Sequence, residues 1–263
     1  MSDFYLFWFV IELSMLSFIG LSYSLFNNSY SSLMVYFLIQ AASSFSILVC
    51  YSLSVFSLFL LFLLLKLSMF PFHSWFLSVV YSFPSLPLLL VSSLHKFPSF
   101  LLISLFLNEA VPFLLSVSCL FSLLLSGSLM LIASDFRIFI LSSSVGNNSW
   151  LILASLHSST LVLLFLVIYS LGLTFVVTNL GGLSNLSLSV RSAMLLFFIG
   201  SLVFISGFPP FPLFWVKLLV IYLNSSFFSP FFIFSFLLIS CLALAGYFKF
   251  CLAIVVSRYS FHF

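Results

Sequence analysis

Charge is what this sequence has least of. Seven Lys or Arg and four Asp or Glu make up 4% of 263 residues, where a soluble domain carries about 25%. So few charges cannot solvate a particle of this size, which excludes a water-soluble globule. The formal net charge is only +3 and no basic run occurs, which excludes a nucleic-acid-binding surface. Cysteine is equally sparse. Cys50, Cys119, Cys241 and Cys251 sit in apolar runs, without a CxxC and without a histidine at ligand spacing. They read as small buried hydrophobes and exclude a cysteine-held metal or iron–sulfur centre. There is no phosphate-cradling glycine loop, no glycine fingerprint leaving a strand and no paired histidines for haem. No redox centre, metal site or cofactor site is therefore expected on this chain. The start shows no basic n-region, cleavage site or Arg-rich transit segment.

What is abundant is apolar surface. Hydrophobic types reach 64%, with 39 Phe, and the mean hydropathy is +1.39. Lipid is the solvent this composition fits. The wealth of Phe, with Ser replacing most other polar types, reads as codon bias in an AT-rich organellar genome. Apolar runs are cut by short polar or Pro-containing breaks into nine spans, near 4–26, 31–51, 53–83, 85–107, 112–133, 138–156, 160–179, 193–223 and 230–257. Each is long enough for a crossing of about 20 residues, and no stretch remains for a soluble domain. The runs do not alternate, so helices are expected and barrel strands are not.

Loop charges orient the chain. With nine spans, the connections near Asn27, at 134–137, at 180–191 and at the C-terminus share one side. That side holds Arg137, Arg191 and Arg258, with Lys249 close by, while Asp3, Asn108 and Glu109 fall opposite. The bias predicts an outer N-terminus and a C-terminus on the cytoplasmic or matrix side.

Two spans carry prolines in their middles. The third reads Lys66-Leu-Ser-Met-Phe-Pro71-Phe-His73-Ser-Trp75, and the eighth Gly207-Phe-Pro209-Pro210-Phe-Pro212-Leu-Phe-Trp215-Val-Lys217. Proline removes a donor and clashes with the preceding turn, so both helices are expected to open inside the membrane. They lie five spans apart and run in opposite directions. Matching broken helices in inverted halves mark ion-coupled transporters, although simple kinks are the plainer reading of either break alone.

Four charges lie deep inside spans: Glu12, Lys66, Lys96 and Lys217. At ~1.5 Å per residue, Glu12 is roughly 12 Å from the outer face, Lys96 roughly 17 Å from the inner one and Lys217 about 10 Å from the outer end. A central charge costs ~2.5–3.5 kcal/mol even on the lenient insertion scale, so each needs a partner, internal water or a proton-transfer role. Pro98, two residues after Lys96, is expected to free a carbonyl one turn earlier for water or the ammonium. Glu12 can serve a proton path or simply hold a lysine. His73, in the first break, and His95, beside Lys96, are possible proton relays. His157 and His262 read as interfacial polar residues, and no metal-ligand spacing joins any of them.

These residues resemble a known family. The segment from Lys66 to Trp75, KLSMFPFHSW, is similar to the KLGxAPFHFW of NADH dehydrogenase subunit 2, a mitochondrially encoded membrane subunit of respiratory complex I. In order along the chain, Trp8-Phe-Val-Ile-Glu12 resembles WxGLE, and Leu94-His-Lys96-Phe-Pro98 resembles WQKxAP. The stretch from Arg137 through Ser142-Ser-Ser144 to Trp150 resembles RKxxAYSSxxHxGW, and Ser206-Gly207-Phe-Pro209-Pro210 with Lys217 resembles GGLPPxxGFxPKW. The resemblance runs over nearly the whole chain.

It implies an all-α polytopic membrane protein with two inverted antiporter-like halves, roughly 1–109 and 110–263, each with one discontinuous helix. It implies a proton path through Glu12, Lys66, Lys96 and Lys217, with Glu12 and Lys66 paired on neighbouring helices. NADH, FMN, iron–sulfur clusters and ubiquinone would belong to other subunits. Partners would be other membrane-arm and accessory subunits, with lipids such as cardiolipin and no nucleic acid. The location implied is the mitochondrial inner membrane, with the N-terminus on the intermembrane-space side and the C-terminus in the matrix. Relatives carry a helix before the Glu-bearing one and another at the C-terminus that this sequence is not expected to form. Lipid or partner helices are expected in the grooves this leaves. Asn147 stands where relatives have His, and Lys217 follows Trp215-Val216 where they have a proline. Another antiporter-like subunit such as subunit 4, an independent cation/proton transporter, and a purely structural membrane subunit are the alternative readings.

Overall fold

The computed structural model describes residues 2–25, 30–106, 112–183 and 188–259. The protein is an all-α polytopic membrane protein, with no strand among the described residues. The first two expected spans are α1 (Ser2–Leu25) and α2 (Tyr30–Ser52). The third divides into α3 (Phe56–Lys66) and α4 (Ser74–Val80), and the fourth into α5 (Ser85–Ser92), a 3₁₀ turn (Leu94–Lys96) and α6 (Phe97–Phe106). Then follow α7 (Pro112–Ile132), α8 (Phe136–Ser155), α9 (Ser159–Leu183), the divided pair α10 (Leu188–Ser206) and α11 (Pro212–Asn224), and α12 (Pro230–Tyr259). All nine expected segments are helical in their described parts.

Three of them are interrupted, where two were expected. Pro98 causes the third interruption, and the outcome differs from the expected free carbonyl. Pro98 has no N–H to return to Leu94, but the Phe97 N–H takes that oxygen instead. The Lys96 N–H likewise reaches the Ser93 carbonyl at 3.3 Å. The turn tightens to 3₁₀ and closes its own bonds, so the Lys96 ammonium must find its partner elsewhere.

Serine is compatible with so apolar a chain because its hydroxyl is satisfied locally. Ser142, Ser143 and Ser144 donate to the carbonyls of Phe139, Ile140 and Leu141, three residues earlier in the same helix, at 2.8–2.9 Å. Buried hydroxyls treated this way need no partner from another helix.

α8 is the axis of the fold. It is buried on every side from Phe139 to Ser155, and packs against α4, α6, α7, α9 and α11. It is also too polar to be among the six stretches that are long and apolar enough to cross a membrane alone. Surrounding helices make it a spanning element. Gly146 allows the close approach of α7: a Cβ there would lie 2.6 Å from Ser126 Oγ. α12, by contrast, turns Phe231, Phe234, Leu238 and Leu242 outward, the surface a lipid-facing helix presents.

Of the charges used for orientation, Arg137 is exposed at the start of α8 and donates to the Tyr81 carbonyl at 3.2 Å. Beside it, Asp135 accepts from the Tyr81 hydroxyl at 3.1 Å. Lys249 donates to the Leu131 carbonyl at the end of α7, where a cation meets the negative end of the helix. The side chains of Asp3, Asn27, Asn108, Glu109, Arg191, Arg258 and His262 lie outside the described residues.

Candidate functional site

Opening a helix inside a membrane leaves C-terminal carbonyls without partners. At the end of α3, three consecutive carbonyls accept from side chains, the first of them, Leu65, also from the Ser68 N–H at 3.1 Å. Trp75, across the break, donates Nε1 to the Leu65 carbonyl at 3.3 Å. Gln40 of α2 donates Nε2 to the Lys66 carbonyl at 3.3 Å, and Asn148 of α8 donates Nδ2 to the Leu67 carbonyl at 2.8 Å. Ser68 turns the chain with φ 56°, and the Phe70–Pro71 bond is cis. Lys66 itself is 6% exposed, and its ammonium reaches the Gln40 carbonyl at 3.5 Å. Gln40 and Lys66 thus exchange bonds in both directions.

Lys96, also 6% exposed, projects from the 3₁₀ turn. Its Nζ donates to Asn148 Oδ1 at 3.1 Å and stands 4.7 Å from the centre of the Phe76 ring, a favourable cation–π position. One amide therefore holds both the Lys96 ammonium and the end of α3. Lys66, Lys96, His95, Gln40 and Tyr36 line a single void of about 10 Å³, the room one water needs. Tyr36 Oη, Gln40 Oε1 and His95 Nε2 are buried without a hydrogen-bond partner, so polar atoms converge on a space of that size.

Glu12 lies on α1, one turn after Trp8, whose Nε1 bonds the Ser44 carbonyl at 3.0 Å and ties α1 to α2. Glu12 Oε1 is buried without a hydrogen-bond partner, so that oxygen does not bond Lys66. His73 caps α4 with Nδ1 buried and unpartnered, and it is not part of the void's lining.

The second break repeats the first in backbone and differs in partners. Gly207 turns with φ 75° three residues before Pro210, as Ser68 does three residues before Pro71, and the Pro209–Pro210 bond is cis. Here the closing donor is the lysine itself. Lys217 Nζ reaches the Ser206 carbonyl at 3.0 Å and lies 5.4 Å from the Trp150 ring centre. A Cβ on residue 207 would sit 2.9 Å from that Nζ, so any larger residue would be strained at this φ and would displace the end of the lysine. Beside Lys217 opens a cavity of about 210 Å³, bordered by Ser126, Ser143, Asn147, Tyr247 and Ser240. The buried Tyr247 hydroxyl has no bonded partner.

The structure therefore gathers Lys66, His95 and Lys96 at one site and sets Lys217 at another, with α8 between them. Asn147 and Asn148, adjacent on α8, serve one site each. Outside the spans, at the α8–α9 turn, burial lowers the affinity of His157 for a proton below the ordinary histidine range, partly offset by the nearby Asn224 amide. This suits an uncharged interfacial residue. Gln40 and Asn148 were not legible as site residues in the sequence. The only available signal was an amide in the middle of an apolar span, where a polar group needs a partner.

No family model and no curated protein matches this sequence. Among solved structures, the chain is similar to a chain of respiratory complex I from Thermus thermophilus, in a structure with bound aureothin. The TM-score is 0.80 at 19% identity, and the likeness covers 95% of this chain and 65% of that one. This chain thus spans about 65% of its neighbour's length. At that identity the likeness establishes the fold: this chain folds as that complex I chain does over nearly all of its own length.

Proposed function

We propose that this protein is a proton-translocating membrane-arm subunit of respiratory complex I, of the subunit 2 type, in the mitochondrial inner membrane. Its inverted halves, roughly 1–109 and 110–263, surround α8, with the C-terminus in the matrix. The reading is carried by one observation: Asn148 of α8 bonds both Lys96 and the open end of α3, and its neighbour Asn147 borders the cavity beside Lys217. The likeness to a complex I chain supports it, as do the five motifs in family order.

Electron transfer from NADH to ubiquinone belongs to other subunits, and this chain's residues hold and move protons. An ammonium in a low-dielectric interior needs a compensating partner or water. Glu12 supplies negative charge for Lys66, while Lys96 is compensated by the Asn148 oxygen and the Phe76 ring face and Lys217 by the Ser206 carbonyl and the Trp150 ring. Displacing Glu12 towards or away from Lys66 changes the balance of charge along the line and so loads or unloads a proton. The 210 Å³ cavity has room for several waters beside Lys217, a hydrated route to the second half.

The test is proton uptake by sealed vesicles holding the assembled complex. Lys96→Met should leave the complex present while coupled translocation is lost, and Lys96→Arg, whose guanidinium keeps its proton, should be nearly as harmful. Normal translocation by Lys96→Met would make the lysine structural and sink the reading. Sodium or proton exchange by the purified chain alone in liposomes would favour an independent transporter.

A further inference from the structure

Asn148 joins two groups of different kinds. A carboxamide has a donor end and an acceptor end. The Leu67 carbonyl can only accept, and at 2.8 Å it holds the donor end, Nδ2. That leaves Oδ1 for Lys96, at 3.1 Å. A flipped amide would set two oxygens against each other at Leu67 and an N–H against the ammonium. The orientation is therefore dictated by the end of α3 and imposed on Lys96. An ammonium offers only donors, so it is served by Oδ1. A neutral amine has a lone pair that calls for an N–H.

We propose that Asn148 is the positioning residue through which the α3–α4 break controls the proton on Lys96. This rests on the proton-translocating reading above. While Leu67 holds Nδ2, Lys96 faces an acceptor and keeps its proton. The Leu67 carbonyl also accepts from Ser68 Oγ at 2.5 Å, so when the break shifts and that carbonyl is left to Ser68, the amide turns over. Its N–H then meets the lysine lone pair, and the released proton passes to a water in the adjoining void. Lys96–NH₃⁺ and water become Lys96–NH₂ and a hydronium, so charge and protons balance. The mobile part is one side-chain torsion, and the trigger is the one place where the neighbouring span is already open.

The other groups facing Lys96 are Lys66 from α3, Tyr36 and Gln40 from α2, His95 from its own turn and Ser99 from α6. The Phe76 ring of α4 lies under it. Of these, Asn148 alone bonds both Lys96 and the broken helix.

The experiment measures coupled proton translocation against pH in sealed vesicles holding the assembled complex, for Asn148→Leu, Asn148→Asp and Lys96→Met. Asn148→Leu removes the acceptor, so the alkaline limit of translocation should move to lower pH. Asn148→Asp keeps an acceptor and adds negative charge, so the limit should move to higher pH. A charge-assisted hydrogen bond corresponds to a shift of about one pH unit. A residue that merely packs would move neither limit. Unmoved limits, or limits that move together, overturn the inference while a silent Lys96→Met leaves the proton path standing. Normal translocation by Lys96→Met overturns the functional reading and the inference with it. If Asn148→Leu fails to assemble, Asn148→Asp decides alone: an unmoved or lowered limit overturns the proposal.

Discussion

The two broken spans meet the same problem with different resources. At 67–73 the open end of α3 is closed by side chains from α2, α8 and the far side of the break, and the adjoining void holds about one water. At 207–211 the open end of α10 is closed by the lysine of the next helix, beside a cavity of about 210 Å³. In the first half the lysine precedes the break, and in the second it follows. The lesson is that a matching backbone, with a left-handed residue three before a proline, does not dictate a matching site. The first site is a nearly dry cluster held by amides. The second is a lysine beside a space that water can fill.

The largest effect should come from the lysines. Lys96→Met and Lys217→Met should each bring coupled translocation in sealed vesicles to background while the complex assembles, because each removes the ammonium of its half. Loss in only one of the two would make the other half structural and end the comparison as a functional one.

Bulk should sort the halves next. Ser99→Leu adds volume to a void of about 10 Å³, and overpacking typically costs 1–3 kcal/mol. A lower melting midpoint of the assembled complex should report it. Ser240→Leu enters the larger cavity and should assemble normally, yet slow translocation by displacing water. Equal destabilisation of both variants would remove the dry-versus-wet distinction.

Gln40→Leu tests closure by a borrowed side chain. It leaves the buried Lys66 carbonyl without its Gln40 partner, a loss of about 1–3 kcal/mol. Hydrogen exchange at the end of α3 should rise, with the end of α10 unaffected. The smallest effect separates Ser68 from Gly207. Ser68→Gly relieves a left-handed backbone but removes the Oγ bond to the Leu67 carbonyl, opposing effects that should leave the melting midpoint within an amount equivalent to about 1 kcal/mol. Gly207→Ala should cost about 1–2 kcal/mol for the left-handed turn alone, and it pushes a Cβ into Lys217 Nζ. Matching responses at the two positions would mean that the turns, unlike the partners, are equivalent.

Both breaks and all four charges within the helices were legible because each violates the surrounding apolar pattern at high cost. Proline lacks the donor a helix requires, and an ammonium in a span demands a reason. The third interruption was half legible. Pro98 marked the place, but the choice between a free carbonyl and a tightened 3₁₀ turn depended on whether Phe97 could reach Leu94. Gln40 and Asn148 escaped notice because a neutral amide costs far less to bury than a charge. α8, with its Ser142–Ser144 run and two asparagines, read as one more span although it is the axis on which both sites depend.

By itself, the sequence determined the solvent, the helical class, the helical segmentation of the described residues and the points where helices must open. Hydropathy is a local, additive property, and a proline's missing N–H is missing in any context. Only the tertiary structure decided that Asn148 joins Lys96 to Leu67, that Lys217 closes its own break, and that one half is nearly dry. Those outcomes depend on contacts between residues 11, 52 or 81 positions apart and on the volume left after packing, neither of which is a property of any single helix.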